Sequence, residues 1–164
     1  MISYLEGDLE LKRTGWVIVK TGGVGYKVAV TPAFLDILHE GTFVKMYIFT
    51  QVREDILALY GFATVSELDL FELLLTVSGI GPKAAQNILS ATTVENIKRS
   101  IVSNDPTIIS SVSGVGKKTA EKVALELICF TKEIDRYDRF IWYVLYMSKH
   151  SALEPKSSPT QIIT

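Results

Sequence analysis

Two short stretches hold residue types that could grip a phosphate. VSGIGPKAAQNIL runs from Val77 to Leu89, and VSGVGKKTAEKVA runs from Val112 to Ala124. Each follows the order h-x-G-h-G-x-K-x-A, where h is apolar, and the copies start 35 residues apart. Glycine permits the backbone angles of a tight turn and lets another backbone come close. The N–H groups at Gly79, Gly81 and the first turn of the next helix then face outward together. They form an anion site strengthened by the helix dipole. Pro82 stands where a first helical residue should. Lys83 in one copy, and Lys117 and Lys118 in the other, add charge at the same phosphate. A sequence-independent hold on a nucleic-acid backbone requires such groups.

Two other glycine-motif readings fail. Gly79-x-Gly81-x-x-Ala84 fits a loose dinucleotide pattern, but that fold needs a strand before it, and FELLLTV reads as a helix. Gly116-Lys117-Lys118-Thr119 suggests a P-loop, but an extra lysine breaks the spacing and again no strand leads in. A plainer alternative is a pair of packed helical hairpins with solvated lysines. For a single turn that alternative is preferred. Two copies in one phase instead resemble the helix-hairpin-helix motif of DNA-binding proteins.

The elements that must carry these turns change character along the chain. Up to Phe62 the sequence reads as about five strands: the opening ISYLEGDLELK, then WVIVK, YKVAV, VKMYIFTQV and ILALYGF. TGGVG joins the second and third as a hairpin, and Arg53-Glu54-Asp55 lies between the last two. PAFLDIL, from Pro32 to Leu38, reads as a short helical turn. Short strands, glycine turns and one brief helix suit a small closed barrel such as an OB-fold. After Phe62 the period becomes helical. Ser66 with Asp69, and Thr92 with Glu95, resemble capping boxes, and Asp105-Pro106 places a cap before a proline. Residues 63–132 therefore read as short helices only. The expected fold is α+β multidomain, an N-terminal OB-fold β-barrel (1–62) followed by an all-α tandem helix-hairpin-helix domain (63–132). Residues 133–164 form a tail whose polar end reads as disordered.

Bulk composition narrows the classes. Apolar residues make up 48% and charged residues 21% of the 164, enough for real cores. Net charge is −1, with 6 basic and 7 acidic side chains in 1–62, 7 and 7 in 63–132, and 4 and 4 in the tail. Phosphate binding must then come from local geometry rather than a general positive field. A single cysteine, Cys129, excludes a disulfide framework and a cysteine-built zinc site, and its apolar surroundings suggest a buried, inert thiol. MISYLEGDL lacks the form of a signal peptide, and Ile141 to Met147 is too short to span a bilayer. A cytoplasmic protein without cofactor is expected. No catalytic set is visible, and His39 and His150 are isolated.

The order of parts points further. MI-x-x-L-x-G opens the barrel, followed by GGVGY, VREDILALYGF, GIGPKAA and GVGKKTAEK. Over about the first 130 residues this resembles the RuvA family, the Holliday-junction-binding subunits of the bacterial branch-migration complex. The resemblance implies a flat fourfold tetramer, or two such plates face to face, with four DNA arms across its concave face. Gly79, Gly81, Lys83 and Ala84, then Gly114, Gly116, Lys117, Lys118 and Thr119, would hold the DNA backbone. Glu54 and Asp55 would form an acidic pin at the tetramer centre. By themselves those two residues read as an ordinary polar hairpin tip. The VRED-x-x-x-LYGF match favours the pin. Eight carboxylates at a crossover would repel phosphates where water is scarce and favour an open, square junction. Eight hairpins neutralising about one phosphate each give a salt slope of roughly −7. A rigid plate makes the later contacts effectively intramolecular.

The chain departs from the family at its end. RuvA subunits continue through a linker into a three-helix domain that contacts the ATPase motor RuvB. Here EIDRYDRFIWYVLYMSKH leaves room for one helix, then a polar end with two prolines. Three other functions would need other features. A nuclease or ligase targeting module needs an acidic metal cluster or nucleophilic lysine motif, and neither is seen. A single-strand binder would stack bases on Trp16, Tyr26, Tyr47 and Phe49, residues that at strand spacing are more often core. A protein–protein adaptor would be indifferent to Lys83→Glu with Lys118→Glu.

Overall fold

The computed structural model describes backbone elements through Ile134 and side chains through Leu127. The expectations for Cys129 as a buried thiol and for the tail at 135–164 lie outside the described residues. Five strands come first: β1 (Tyr4–Arg13), β2 (Trp16–Thr21), β3 (Val24–Val30), β4 (Phe43–Val52) and β5 (Leu57–Phe62). They close a barrel in the order β1-β2-β3-β5-β4. All neighbours are antiparallel except β3 and β5, where Val28 pairs with Leu59 and Val30 with Gly61. Inward residues alternate along the strands, as the two-residue period requires. Leu5, Leu9, Val17, Val19, Val28, Val30, Met46 and Ile48 fill the interior. Gly61 is needed there, because a Cβ on it would meet Val28 Cγ1 at 2.7 Å and Met46 Sδ at 2.8 Å. Between β3 and β4, α1 (Pro32–Ile37) seals the barrel with Phe34, its first turn capped by Thr31.

The helical unit holds α2 (Val65–Leu75), α3 (Pro82–Ala91), α4 (Val94–Val102), α5 (Thr107–Ser110) and α6 (Lys117–Ile134). Its core runs from Phe62 and Phe71 through Ile88, Ile97 and Ile109 to Val123 and Leu127. The protein is a mixed α+β molecule, barrel first and helices second, as expected. Among the described residues no helix is long and apolar enough to cross a membrane.

Four local expectations are corrected. The capping box of α2 is Thr64 with Glu67, not Ser66 with Asp69: Thr64 Oγ1 accepts from Glu67 N–H at 3.2 Å and Glu67 Oε2 accepts from Thr64 N–H at 3.3 Å. Both pairs have the right spacing; α2 takes the earlier one, and Leu70, Phe71 and Leu74 are its buried residues. Helix α4 is capped by Thr93 rather than Thr92, whose hydroxyl instead accepts from Asn96 Nδ2 at 3.0 Å. Helix α6 is 18 residues long, not short and running past 132, because Ala120, Val123, Ala124 and Leu127 keep one face buried and no breaker interrupts it. Before α5, Pro106 itself holds the N-cap position rather than the first helical one, and Asp105, one residue earlier, accepts from Thr107 N–H with its Oδ1 at 3.0 Å.

Candidate nucleic-acid interface

Each glycine turn is anchored by apolar residues on both sides. Val77 and Ile80 are buried around the first, and Val112 and Val115 around the second. Ile80 N–H donates to Val77 O at 3.0 Å, and Val115 N–H donates to Val112 O at 3.1 Å. The next helix starts alike in both, with Ala85 N–H donating to Gly81 O and Ala120 N–H to Gly116 O, each at 2.9 Å. The two turns are therefore one structure built twice. Pro82 occupies the first turn of α3, where its missing N–H costs nothing.

The two glycines of a turn do different jobs. Gly79 has φ +96° and Gly114 φ +88°, a conformation that L side chains rarely adopt. Gly81, at φ −98°, and Gly116 do not need that freedom. No atom lies within 4 Å of where their Cβ would stand. What their glycine identity leaves is bare, exposed backbone that another chain can approach.

The charges surround that bare backbone. Lys83, Lys117 and Lys118 are exposed. Among the described residues the ion pairs within 4.0 Å are Lys20–Glu10 and Lys122–Glu126, so none of the three turn lysines is neutralised by a neighbour. Ala84 and Thr119 are placed differently. Ala84 packs partly buried on the helical core. Thr119 Cγ2 would stand 3.9 Å from a Cβ on Gly79. Thr119 thus lies at the seam between the hairpins, and both residues keep part of their surface exposed. Asn87, which the motif did not single out, also lies at this seam: its Nδ2 donates to Ser113 O at 3.0 Å. No pattern in the sequence marks Asn87, since the matching position in the second copy is Lys122.

Glu54 and Asp55 head the β4–β5 hairpin. Arg53 N–H donates to Ile56 O at 2.8 Å and Ile56 N–H to Arg53 O at 3.3 Å, so the two carboxylates form the exposed turn. Below them Val52 and Leu57 pair across the strands, 71% and 73% exposed. Gln51 braces the base. With its amide oriented to satisfy both ends, it donates to Tyr60 Oη at 3.2 Å and accepts from Arg53 Nε at 3.1 Å. Burial pushes the Tyr60 hydroxyl pKa up, and the Arg53 charge partly offsets this. The aromatics considered for base stacking are all partly buried: Phe49 packs against Phe71, and Trp16 lies under Lys27 Nζ, 4.4 Å from the ring centre.

Comparison with known proteins agrees with these parts. Residues 1–61 match the RuvA N terminal domain family, and residues 71–127 match the SAM-like helix-hairpin-helix tandem. Over 150 residues the chain is 38% identical to the Holliday junction branch migration complex subunit RuvA of Alkaliphilus oremlandii, covering 92% of this chain and 76% of that one. The chain belongs to the RuvA family. The RuvA subunit of Acetivibrio thermocellus is 41% identical over 128 residues, 77% of this chain and 63% of that relative. That of Symbiobacterium thermophilum is 44% identical over 128 residues, 77% and 62% of the two chains. The chain thus spans less than two thirds of the length of these two RuvA relatives. The resemblance drawn from GIGPKAA and GVGKKTAEK is borne out for family and fold.

Proposed function

We propose that the chain binds four-way DNA junctions as a homotetramer, holds them open and square, and brings them to an ATP-driven RuvB-type motor in recombination and repair. The observation that carries this is the pair of matching turns, each presenting exposed glycine backbone and unneutralised lysine. A phosphodiester accepts hydrogen bonds from the backbone N–H groups and is neutralised by the lysine, and neither contact reads a base. DNA can therefore slide through, which branch migration needs.

The barrel (1–62) builds the plate, the helical domain (63–132) holds the arms, and Glu54 and Asp55 stand at the crossover. Their carboxylates repel the phosphates that would crowd a folded junction. The chain carries out no bond-making step. It works in the cytoplasm, where the DNA is.

A gel shift at moderate salt tests this, with a synthetic four-way junction set against linear duplex of the same arm sequences and against single strand. Strong junction preference at four chains per junction is expected. Equal binding to duplex would reduce the chain to a general helix-hairpin-helix DNA-targeting module. Preference for single strand would move the site to the barrel.

A further inference from the structure

We propose that Asn87 is a positioning residue that makes the second glycine turn a preformed phosphate donor, ahead of the first. This rests on the phosphate-gripping role given to the turns above. Asn87 sits in α3, in the first hairpin, yet its Nδ2 donates to the carbonyl of Ser113 in the second at 3.0 Å. That carbonyl shares a peptide unit with the N–H of Gly114. In a trans peptide the C=O and N–H point in opposite directions, and this chain has no cis bond among the described residues. Holding the carbonyl toward α3 therefore turns the Gly114 N–H away from it, out of the seam. A hydrogen bond to the carbonyl also polarises the unit and makes its N–H a stronger donor. Gly114 N–H has no backbone acceptor among the described residues. The turn is thus held in the orientation a phosphate oxygen needs, before any phosphate arrives.

The first turn has no equivalent brace. The residue matching Asn87 in the second copy is Lys122, and its Nζ lies 3.7 Å from Glu126 Oε1, one helical turn further along α6. Among the described residues no side chain donates to the Ser78 carbonyl. The Ser78–Gly79 peptide lacks such a side-chain brace, and beside it Thr119 Cγ2 stands 3.9 Å from where a Cβ on Gly79 would be. A repeat that is symmetric in its turns is therefore asymmetric in its bracing. The two hairpins differ in charge in the same sense, with Lys117 and Lys118 in the second against Lys83 in the first.

The test uses the full chain labelled with ¹⁵N-glycine, which gives 11 amide signals. Inorganic phosphate is titrated in, and the Gly114 and Gly79 amides are followed. In the native chain Gly114 is expected to shift at lower phosphate than Gly79. Asn87→Leu, close in size and without a donor, should raise the phosphate needed at Gly114 by about three- to tenfold, the range for one lost hydrogen bond. Gly79 should be unchanged. Asn87→Ala serves as a second variant should leucine disturb the seam, and both substitutions favour the helix. Equal response of the two glycines in the native chain, no response at Gly114, or an unchanged Gly114 in both variants would overturn the proposal. Junction binding gives a separate readout: Lys118→Gln should cost less in the Asn87→Leu background, while Lys83→Gln costs the same. If the native chain ignores junctions altogether, the junction-binding function falls, and the phosphate titration still decides the role of Asn87.

Discussion

The ring of Phe71 meets that of Phe49 edge-on, with centroids 5.3 Å apart and planes at 65°. Phe49 belongs to β4 of the barrel and Phe71 to α2 of the helical unit. Tyr60 and Phe62 of β5 complete the cluster, their centroids 5.5 Å and 4.8 Å from that of Phe71. Phe71 is the helical residue at the centre of this aromatic joint between the barrel and the first hairpin. Phe71→Ala should empty that joint and lower stability by about 3–5 kcal/mol. Chemical denaturation would measure it, and a loss under about 1 kcal/mol would show that the joint closes around the gap.

Lysine removal should alter salt dependence as well as affinity. In a tetramer, Lys118→Gln removes four phosphate contacts at once. The slope of log affinity against log salt should become shallower by about 3 to 4. Fluorescence anisotropy with a labelled junction at several salt concentrations checks this. An unchanged slope would remove Lys118 from the phosphate contacts.

The acidic turn should oppose binding and shape the junction. Glu54→Gln with Asp55→Asn removes two negative charges per chain without changing the turn's size. Binding should tighten several-fold at low salt, and the gain should shrink as salt screens the repulsion. Energy transfer between labelled arms should report a less open junction. Weaker binding by this variant would contradict a repulsive pin.

Glu72 gives a pH signature. It is half-buried on α2, and burial first, then the charge of Asp69, raises its carboxyl pKa. The folded chain therefore holds this proton more tightly than the unfolded chain does. Stability from this group is present below the ordinary glutamate pKa and falls as pH rises through the raised folded value. Glu72→Gln should melt higher than the native chain at pH 7, and the gap should close below about pH 4. A gap that does not change with pH would assign the effect to packing.

The cap of α2 should be visible in stability. Thr64→Ala removes the hydroxyl that accepts from Glu67 N–H and should cost about 1 kcal/mol. Ser66→Ala, at the position where the sequence also suggested a cap, should cost much less. Thermal melts of the two variants compare them directly.

By itself the sequence determined the features that depend on neighbours along the chain. The switch from a two-residue to a helical period after Phe62 marked where barrel gives way to helices. The glycine spacing at Gly79-x-Gly81 and Gly114-x-Gly116 announced the doubled turn, because few residues tolerate the positive φ found at Gly79 and Gly114. Gly22-Gly23, with φ of 56° and 84°, likewise made the β2–β3 hairpin legible. Only the tertiary structure decided among patterns that local rules rank equally. Thr64 with Glu67 prevailed over Ser66 with Asp69, two pairs that their identical spacing could not separate. The closure of β3 on β5, with Val28 opposite Leu59, joins residues about thirty positions apart, and no periodicity encodes such a pairing. The hydrogen bond from Asn87 to Ser113 is of the same kind. It exists because apolar packing brings two hairpins into register, and a side chain with no motif of its own then meets the one carbonyl it can hold.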